Sequence, residues 1–402
     1  MKLLVVAPQP FFSPRGTPFS VYYRTQVACG LDQDVDLLTY GQGEDVDLPR
    51  CRIVRIPAFR WLGAVPIGPS FYKLFLDCFM VAWTVGLLMR HRYDVVHAHE
   101  EAIFWCRWLK PVFRFRLIYD MHSSLPQQLH NFEFTALRMV HWMFEALERS
   151  AVRAADAVVV ICPALRDYAR TLTHHDDKII LIENTLFDPV RFAAGDQGAE
   201  ARAQDAEIER ARGLDQWLST RRGDRVVVYA GTLEAYQGID KLLEAFALVV
   251  PRMSDAGLLI IGGAPPEVER FRRLADDFDL GPAVHFTGQV PQPEAQRLVT
   301  LAGACVSPRF AGNNTPLKIY QLMADGIPLI ATRIESHTQV LNDEISILSD
   351  ISTGALAEAM IQALSDPDDA RSRARRAQEW YQENYSRDAY TAKMRKLLSM
   401  VA

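Results

Sequence analysis

The chain has 402 residues, 49% of them apolar, and a formal net charge of −5 at neutral pH. That length exceeds what one core ordinarily supports, so two domains are expected, and the acidic balance speaks against a general nucleic-acid binder. The sign is uneven: residues 1–185 carry 20 Lys and Arg against 19 Asp and Glu, the remainder 24 against 30.

The opening MKLLVVAPQP reads as a first buried strand and not as a signal peptide, because its apolar run stops at Pro8. Further strands are expected over 34–39, 51–56, 94–97, 116–120 and 156–161, with a short one over 178–182, and helical patterns lie between them. A polar, Ala/Arg/Glu-rich stretch over 192–224 reads as a linker with some helix. A second strand series follows over 225–231, 257–263, 283–288, 304–308, 327–332 and 345–348, and the tail from 353 is helical. Alternation of this kind marks parallel α/β units. The predicted organisation is a Rossmann-like domain over 1–190, a linker over 191–222, a second Rossmann-like domain over 223–380 and a terminal helix over 381–402, with a cleft between the two domains. The six cysteines (29, 51, 78, 106, 162 and 305) form no close pair in sequence, which suits reduced structural thiols of a cytoplasmic protein.

One segment resists this pattern. FYKLFLDCFMVAWTVGLLM, residues 71–89, is nearly long enough to cross a bilayer, but Lys73 and Asp77 and the strand that follows argue against a span. It reads as a helix buried on the first sheet. Residues 52–116 nevertheless hold ten basic and four acidic side chains interspersed with Phe59, Trp61, Trp105 and Trp108. Cations mixed with aromatic residues suit an anionic lipid interface, and both readings can hold at once.

In doubly wound sheets, ligands bind beyond the carboxyl ends of the strands. After the first strand, PFFSPRGTPFS places Arg15, Gly16 and Thr17 before a helix, without a GxGxxG fingerprint. VVHAHEE offers His97 and His99 on one strand face, but no third ligand of the right type is evident, and no metal is expected. YDMHSSL places Asp120 and His122 at another strand end. In the second half, YAGTLEAYQGID gathers Gly231, Thr232, Glu234, Tyr236, Gln237 and Gly238, and SPRFAGNNTPLK adds Arg309 and Lys318. Thr315 is expected to cap a helix over 316–325, with Pro316 at its first position and Gly326 as its stop. Lys318 then sits in the first turn, where the helix dipole disfavours a cation. An anion docked there would resolve the conflict; a solvated surface lysine would tolerate it.

These residues also resemble a known family. YDVVHAH, LERSAVRAADAVVVICPALRDYAR, VVVYAGTLEAYQGIDKLLEAFALV, LLIIGG, VHFTGQVP and NNTPLKIYQLMADGIPLIAT are similar, in order, to the motifs of GT-B glycosyltransferases of the retaining family 4 type. The resemblance implies two Rossmann-like domains facing across a cleft, with the last helix crossing back to the first domain. It implies a UDP- or GDP-sugar co-substrate held mainly by the second domain, no other cofactor and no metal. It further implies a lipid-linked or glycan acceptor at the first domain, peripheral contact with the inner face of the plasma membrane, and no nucleic-acid partner. On that pattern His122, Lys318 and Asn313 are the expected catalytic residues. Gly16, Thr17, Arg15, Gly231, Thr232, Gln237, Gly262, Val290, Arg309, Asn314, Thr315, Pro316, Leu317 and Gln321 are the expected donor-binding residues.

The departures from the pattern are specific. Where the family often has Arg and Lys, this chain has Thr232 and Gln237; where it has paired glutamates, this chain has Asn313 and Gln321, and a further glutamate is Gln339. Amides still bond hydroxyls but do not neutralise phosphate, which leaves Lys318, Arg309 and Arg15 as candidate substitutes. A non-catalytic binding protein and a sugar-nucleotide epimerase on the same fold stay open on the residues alone.

Overall fold

The computed structural model describes every residue except 14–15, 60, 62, 64, 67–69, 125–137, 186–189, 191–212 and 313, and gives the backbone alone for 138–143. Arg15 and Asn313, both expected at the site, lie outside the described residues, as does most of the expected linker. The chain divides into two compact units, one of residues 1–195 with 387–402 and one of residues 196–386.

The first unit is built on seven parallel strands: β1 (Lys2–Ala7), β2 (Asp34–Thr39), β3 (Cys51–Arg55), β4 (Val95–His99), β5 (Arg116–Met121), β6 (Ala157–Val160) and β7 (Ile179–Leu181). Their order is β3-β2-β1-β4-β5-β6-β7, so the winding reverses between β1 and β4. The strands are continuous apolar runs because helices cover both faces. Alternation along β1 shows this: Leu4 and Val6 join the core beneath helices Phe71–Arg90 and Ile103–Phe113, whereas Leu3, Val5 and Ala7 face helix Gly16–Gly30. That second face is also covered by the terminal helix Arg387–Met400 through Tyr390, Met394, Leu397 and Leu398. Each fully buried Val or Leu contributes roughly 1.5–3 kcal/mol.

The second unit repeats the plan with six parallel strands: β8 (Val226–Ala230), β9 (Gly257–Ile261), β10 (Val284–Gly288), β11 (Ala304–Ser307), β12 (Leu329–Thr332) and β13 (Ile347–Ser349). The order is β10-β9-β8-β11-β12-β13, with the reversal between β8 and β11. Val227 and Tyr229 of β8 enter one core, Val226 and Val228 the opposite one.

Two expectations need correction. Helix Phe71–Arg90 is not a plainly buried core helix. Leu76, Met80, Thr84, Leu87 and Leu88 face the sheet, but Phe71, Leu74, Phe75, Cys78, Ala82 and Met89 are exposed. At 100° per residue those six fall within one stripe on the opposite side, so the helix is apolar on two faces and only one is packed.

The second correction concerns the helix after β11, which runs Leu317–Ala324. Pro316 stands at its N-cap with φ −63° and ψ 134°, and no side chain caps it. The expected cap, Thr315, is one residue too early, and its hydroxyl is buried without a partner. Gly326 does end the helix, at φ +64°.

Candidate functional site

In the second unit, the loops leaving β8 and β11 close against each other at the winding reversal. Gly238, at φ +76°, permits this: a Cβ there would lie 2.4 Å from the Pro308 carbonyl oxygen. Gly262, at φ +111°, is tighter still, because its Cβ would come 2.1 Å from the Gly231 carbonyl oxygen. Gly262→Ala is expected to destabilise the second unit by at least about 1–3 kcal/mol, from left-handed strain and overlap together. A denaturant midpoint equal to wild type would show that the loop relaxes freely.

Within this corner Lys318 and Arg309 are the cations. The Lys318 Nζ lies 4.1 Å from the Tyr229 ring centroid and 3.5 Å from the Ala230 carbonyl oxygen. The Arg309 guanidinium covers the Tyr236 ring at 4.9 Å, and its Nη1 donates to the Asn314 carbonyl at 3.2 Å. Among the described residues neither pairs with a carboxylate. Burial, and then the nearby Arg309 charge, push the Lys318 ammonium down to about 7. Arg309 and a Lys318 that is only partly protonated near pH 7 therefore stand together at an uncapped helix N-terminus, without a carboxylate partner among the described residues, an arrangement suited to a polyanion.

The neutral residues beside them bond chiefly to one another. The Tyr229 hydroxyl donates to the Thr232 carbonyl at 2.6 Å, and Gln237 Nε2 donates to Thr232 Oγ1 at 3.3 Å, which itself donates to Glu234 at 3.2 Å. Gly231 and Gly262 donate their backbone N–H groups to Ile261 and Gly288. Val290 is partly buried against the core, Asn314 is exposed, and Pro316 and Leu317 lead into the helix. Gln321 is not turned toward the corner: its amide donates to both carboxylate oxygens of Asp325, at 2.9 and 3.0 Å.

His337 has no signal in the sequence, yet it braces the corner. Its Nδ1 donates to the Thr332 carbonyl at 2.7 Å and its Nε2 accepts from Ser307 Oγ at 3.0 Å. Burial pushes it down to about 4, so it is the neutral imidazole that joins the ends of β11 and β12. The Thr332 hydroxyl in turn donates to the Arg309 carbonyl, which fixes the backbone carrying that guanidinium.

In the first unit, Gly16 and Thr17 open helix Gly16–Gly30, and the same helix sends Arg24 into the sheet. Arg24 Nη1 donates to Asp120 Oδ1 at 2.8 Å, and Nη2 donates to the Ile182 carbonyl at 2.9 Å. His97 Nε2 is 2.8 Å from Asp120 Oδ2, His99 Nδ1 is 3.1 Å from His122 Nε2, and His122 Nε2 is 3.2 Å from Asp120 Oδ1. All five side chains are buried. Burial pulls the Asp120 carboxyl upward, but Arg24 and the imidazoles outweigh it and hold it well below the usual range. Burial drives His99 well below its ordinary value and His122 to about 4, so both imidazoles are neutral near pH 7. The tertiary structure also supplies the third potential metal ligand that the sequence lacked, since donor atoms of His97, His99 and Asp120 lie within 4.8 Å of one another. The Arg24 charge on Asp120 opposes a further cation there.

Two family models match the chain, glycosyl transferase 4-like domain over residues 21–185 and glycosyl transferases group 1 over residues 215–380. Together these two models span most of the chain, which belongs to the glycosyltransferases. This glycosyltransferase is 25% identical to alpha-D-kanosaminyltransferase of Streptomyces kanamyceticus, over 71% of its own length and 75% of that protein. It is 28% identical to a GDP-mannose-dependent alpha-(1-6)-phosphatidylinositol monomannoside mannosyltransferase of Mycobacterium tuberculosis, over 44% of its length and 48% of that protein. Among solved structures it is similar in fold to sucrose-phosphate synthase from Thermosynechococcus elongatus. That likeness has a TM-score of 0.73 and 22% identity, and covers 100% of this chain and 98% of that one. The fold is GT-B, and the glycosyltransferase moves a sugar from a nucleotide-sugar donor to an acceptor.

Proposed function

We propose that the enzyme is a retaining, metal-independent transferase that uses a UDP- or GDP-sugar and glycosylates a lipid-linked acceptor at the cytoplasmic face of the membrane. The observation that carries the donor assignment is the Lys318–Arg309 pair, two basic side chains that meet no carboxylate among the described residues, at the head of helix Leu317–Ala324. A diphosphate there meets fixed positive charge and backbone N–H groups, and charge developing on the leaving phosphate is stabilised without reorganisation. Fixed cations supply the neutralisation that a metal ion gives elsewhere. In a one-face reaction the leaving phosphate also takes the acceptor proton, so retention asks the protein for electrostatics more than for a separate base. His122, buried and neutral, is assigned to a sugar hydroxyl.

Two observations support a lipid-linked acceptor and peripheral membrane contact. One is the unpacked apolar stripe of helix Phe71–Arg90; the other is the neighbouring exposed Trp61, Trp108 and Val112. The phosphatidylinositol mannoside relative acts on an acceptor of that class by its name.

The test is a panel of nucleoside diphosphates and their sugars, read by calorimetry and thermal shift. Lys318 is held near 7 in the free protein, and a bound diphosphate favours its charged form. Binding therefore takes up a proton near and above pH 7, and affinity falls as pH rises through that value, by up to about tenfold per unit. Calorimetry in two buffers of different ionisation heat reads the uptake. Equal heats together with an affinity flat from about pH 6.5 to about 9 would remove Lys318 from the donor site. Without ligand the linkage runs through stability: the unfolded lysine titrates near 10.5, so between about 7 and 10.5 the unfolded state binds the extra proton and stability rises with pH.

A further inference from the structure

We propose that the first unit carries a second anion site, at the amino-terminal edge of its sheet, that takes the phosphate headgroup of an anionic glycerophospholipid. It rests on the membrane reading above and gives it a specific contact.

Two adjoining concavities open at this edge, of about 700 and about 330 Å³, and share Arg92, Tyr93 and Arg114. Lys110 and Arg116 line the larger, and Met89, Arg90 and His91 the smaller. The local acids are engaged. Asp94 accepts the Lys2 backbone N–H at 2.8 Å, and Asp156 pairs with Lys110 at 2.8 Å and Arg116 at 3.2 Å. Among the described residues Arg90, Arg92 and Arg114 pair with no carboxylate.

Arg90 and Arg114 stand at the ends of helices Phe71–Arg90 and Ile103–Phe113, where a helix dipole also favours a cation. Arg92 has no such role. It lies in the link to β4, is exposed, and still completes the basic rim of both hollows.

The apolar surroundings decide between a soluble anion and a lipid. Met89 is 74% exposed, Trp108 71% and Val112 69%, all on the two helices whose ends form the hollows. Met89 is also the last member of the unpacked stripe. Basic hollows beside an apolar stripe match a headgroup beside acyl chains. His99 and His122 lie at the opposite, carboxyl-terminal ends of their strands, so this anion is neither the donor diphosphate nor the transferred group.

The test is co-sedimentation of the full chain with phosphatidylcholine vesicles, with and without about one-third phosphatidylglycerol. Wild type should bind the anionic vesicles more tightly, and Arg92→Ala/Arg114→Ala should lose roughly thirtyfold of that affinity, while its nucleoside-diphosphate thermal shift stays at the wild-type value. Equal binding of variant and wild type to anionic vesicles overturns the headgroup site and leaves the membrane reading standing. Wild type that sediments with no vesicle overturns both. A thermal shift given by inorganic phosphate to wild type but not to the variant, without preference for anionic vesicles, identifies a free-phosphate site and also rejects the proposal.

Discussion

Lys318→Ala should lower turnover by about 10²–10³-fold, the scale of removing one charged stabiliser of a developing oxyanion. The fold should be nearly unaffected. Lys318 makes no carboxylate pair among the described residues, its hydrogen bond to the Ala230 carbonyl is long at 3.5 Å, and its ammonium is already destabilised by burial and by Arg309. A substitution that removes an unneutralised cation from such a place relieves repulsion while it deletes packing on Tyr229, and the two effects oppose each other. Steady-state rates beside a thermal melt separate these consequences. Turnover within about twofold of wild type would exclude the assigned role, since a lysine in contact with the leaving phosphate is worth several kcal/mol at the transition state. Lys318→Arg tests geometry as well as charge, because a broad planar guanidinium presents its charge and donors differently from a compact ammonium.

Asp120→Ala should have the largest effect on stability, about 3–5 kcal/mol. Its removal leaves Arg24, 2% exposed, as a buried charge facing neutral groups, among them the Ile182 carbonyl, the Asn184 amide and the His122 imidazole. The same change releases His97 and loosens His122. Urea denaturation followed by fluorescence measures the loss. Asp120→Ala paired with Arg24→Met should recover much of it, because replacing both partners removes the uncompensated charge. If the double variant is no more stable than Asp120→Ala alone, the ion pair is not what the network stabilises. Helix Gly16–Gly30 carries both Arg24 and, at its start, the expected donor-binding residues Gly16 and Thr17, so a melted network also disturbs them.

The strands were legible because parallel sheets covered on both faces are written as uninterrupted apolar runs. Expected and observed strands agree within about two residues, from Lys2–Ala7 to Ile347–Ser349. Helix starts were less legible. TPLK matches a Thr cap followed by a first-position proline, yet Pro316 keeps an extended ψ and the helix begins at Leu317. For residues 71–89 composition showed an apolar helix, but nothing in it tells which face meets the sheet or that the other face stays bare.

The site was legible where its signal is local and obscure where it is not. Lys318 was singled out by its conflict with the dipole, and Arg309 and Thr232 by their strand ends. Gln321 was expected there as well but bonds Asp325 one turn away, a preference that depends on where the helix points. Arg24 carries no local signal; its partner Asp120 is 96 positions distant. His337 carries no local signal, and only the adjacency of β11 and β12 gives it Ser307 and Thr332 together.

Taken by itself, the amino-acid order determined the two α/β halves, the strand limits, the strand ends where the candidate site residues gather and the excess of cations over residues 52–116. Those features depend on periodicity and composition over a few residues, and such short-range information is complete within the segment. Strand order, and with it the Arg24–Asp120 pair, the reach of His97 and His99 to Asp120, the His337 brace and the basic hollows between helix ends, was decided only in three dimensions. A charge or imidazole acquires its partner and its protonation state from neighbours that are remote along the chain, and no local pattern specifies which neighbours those will be.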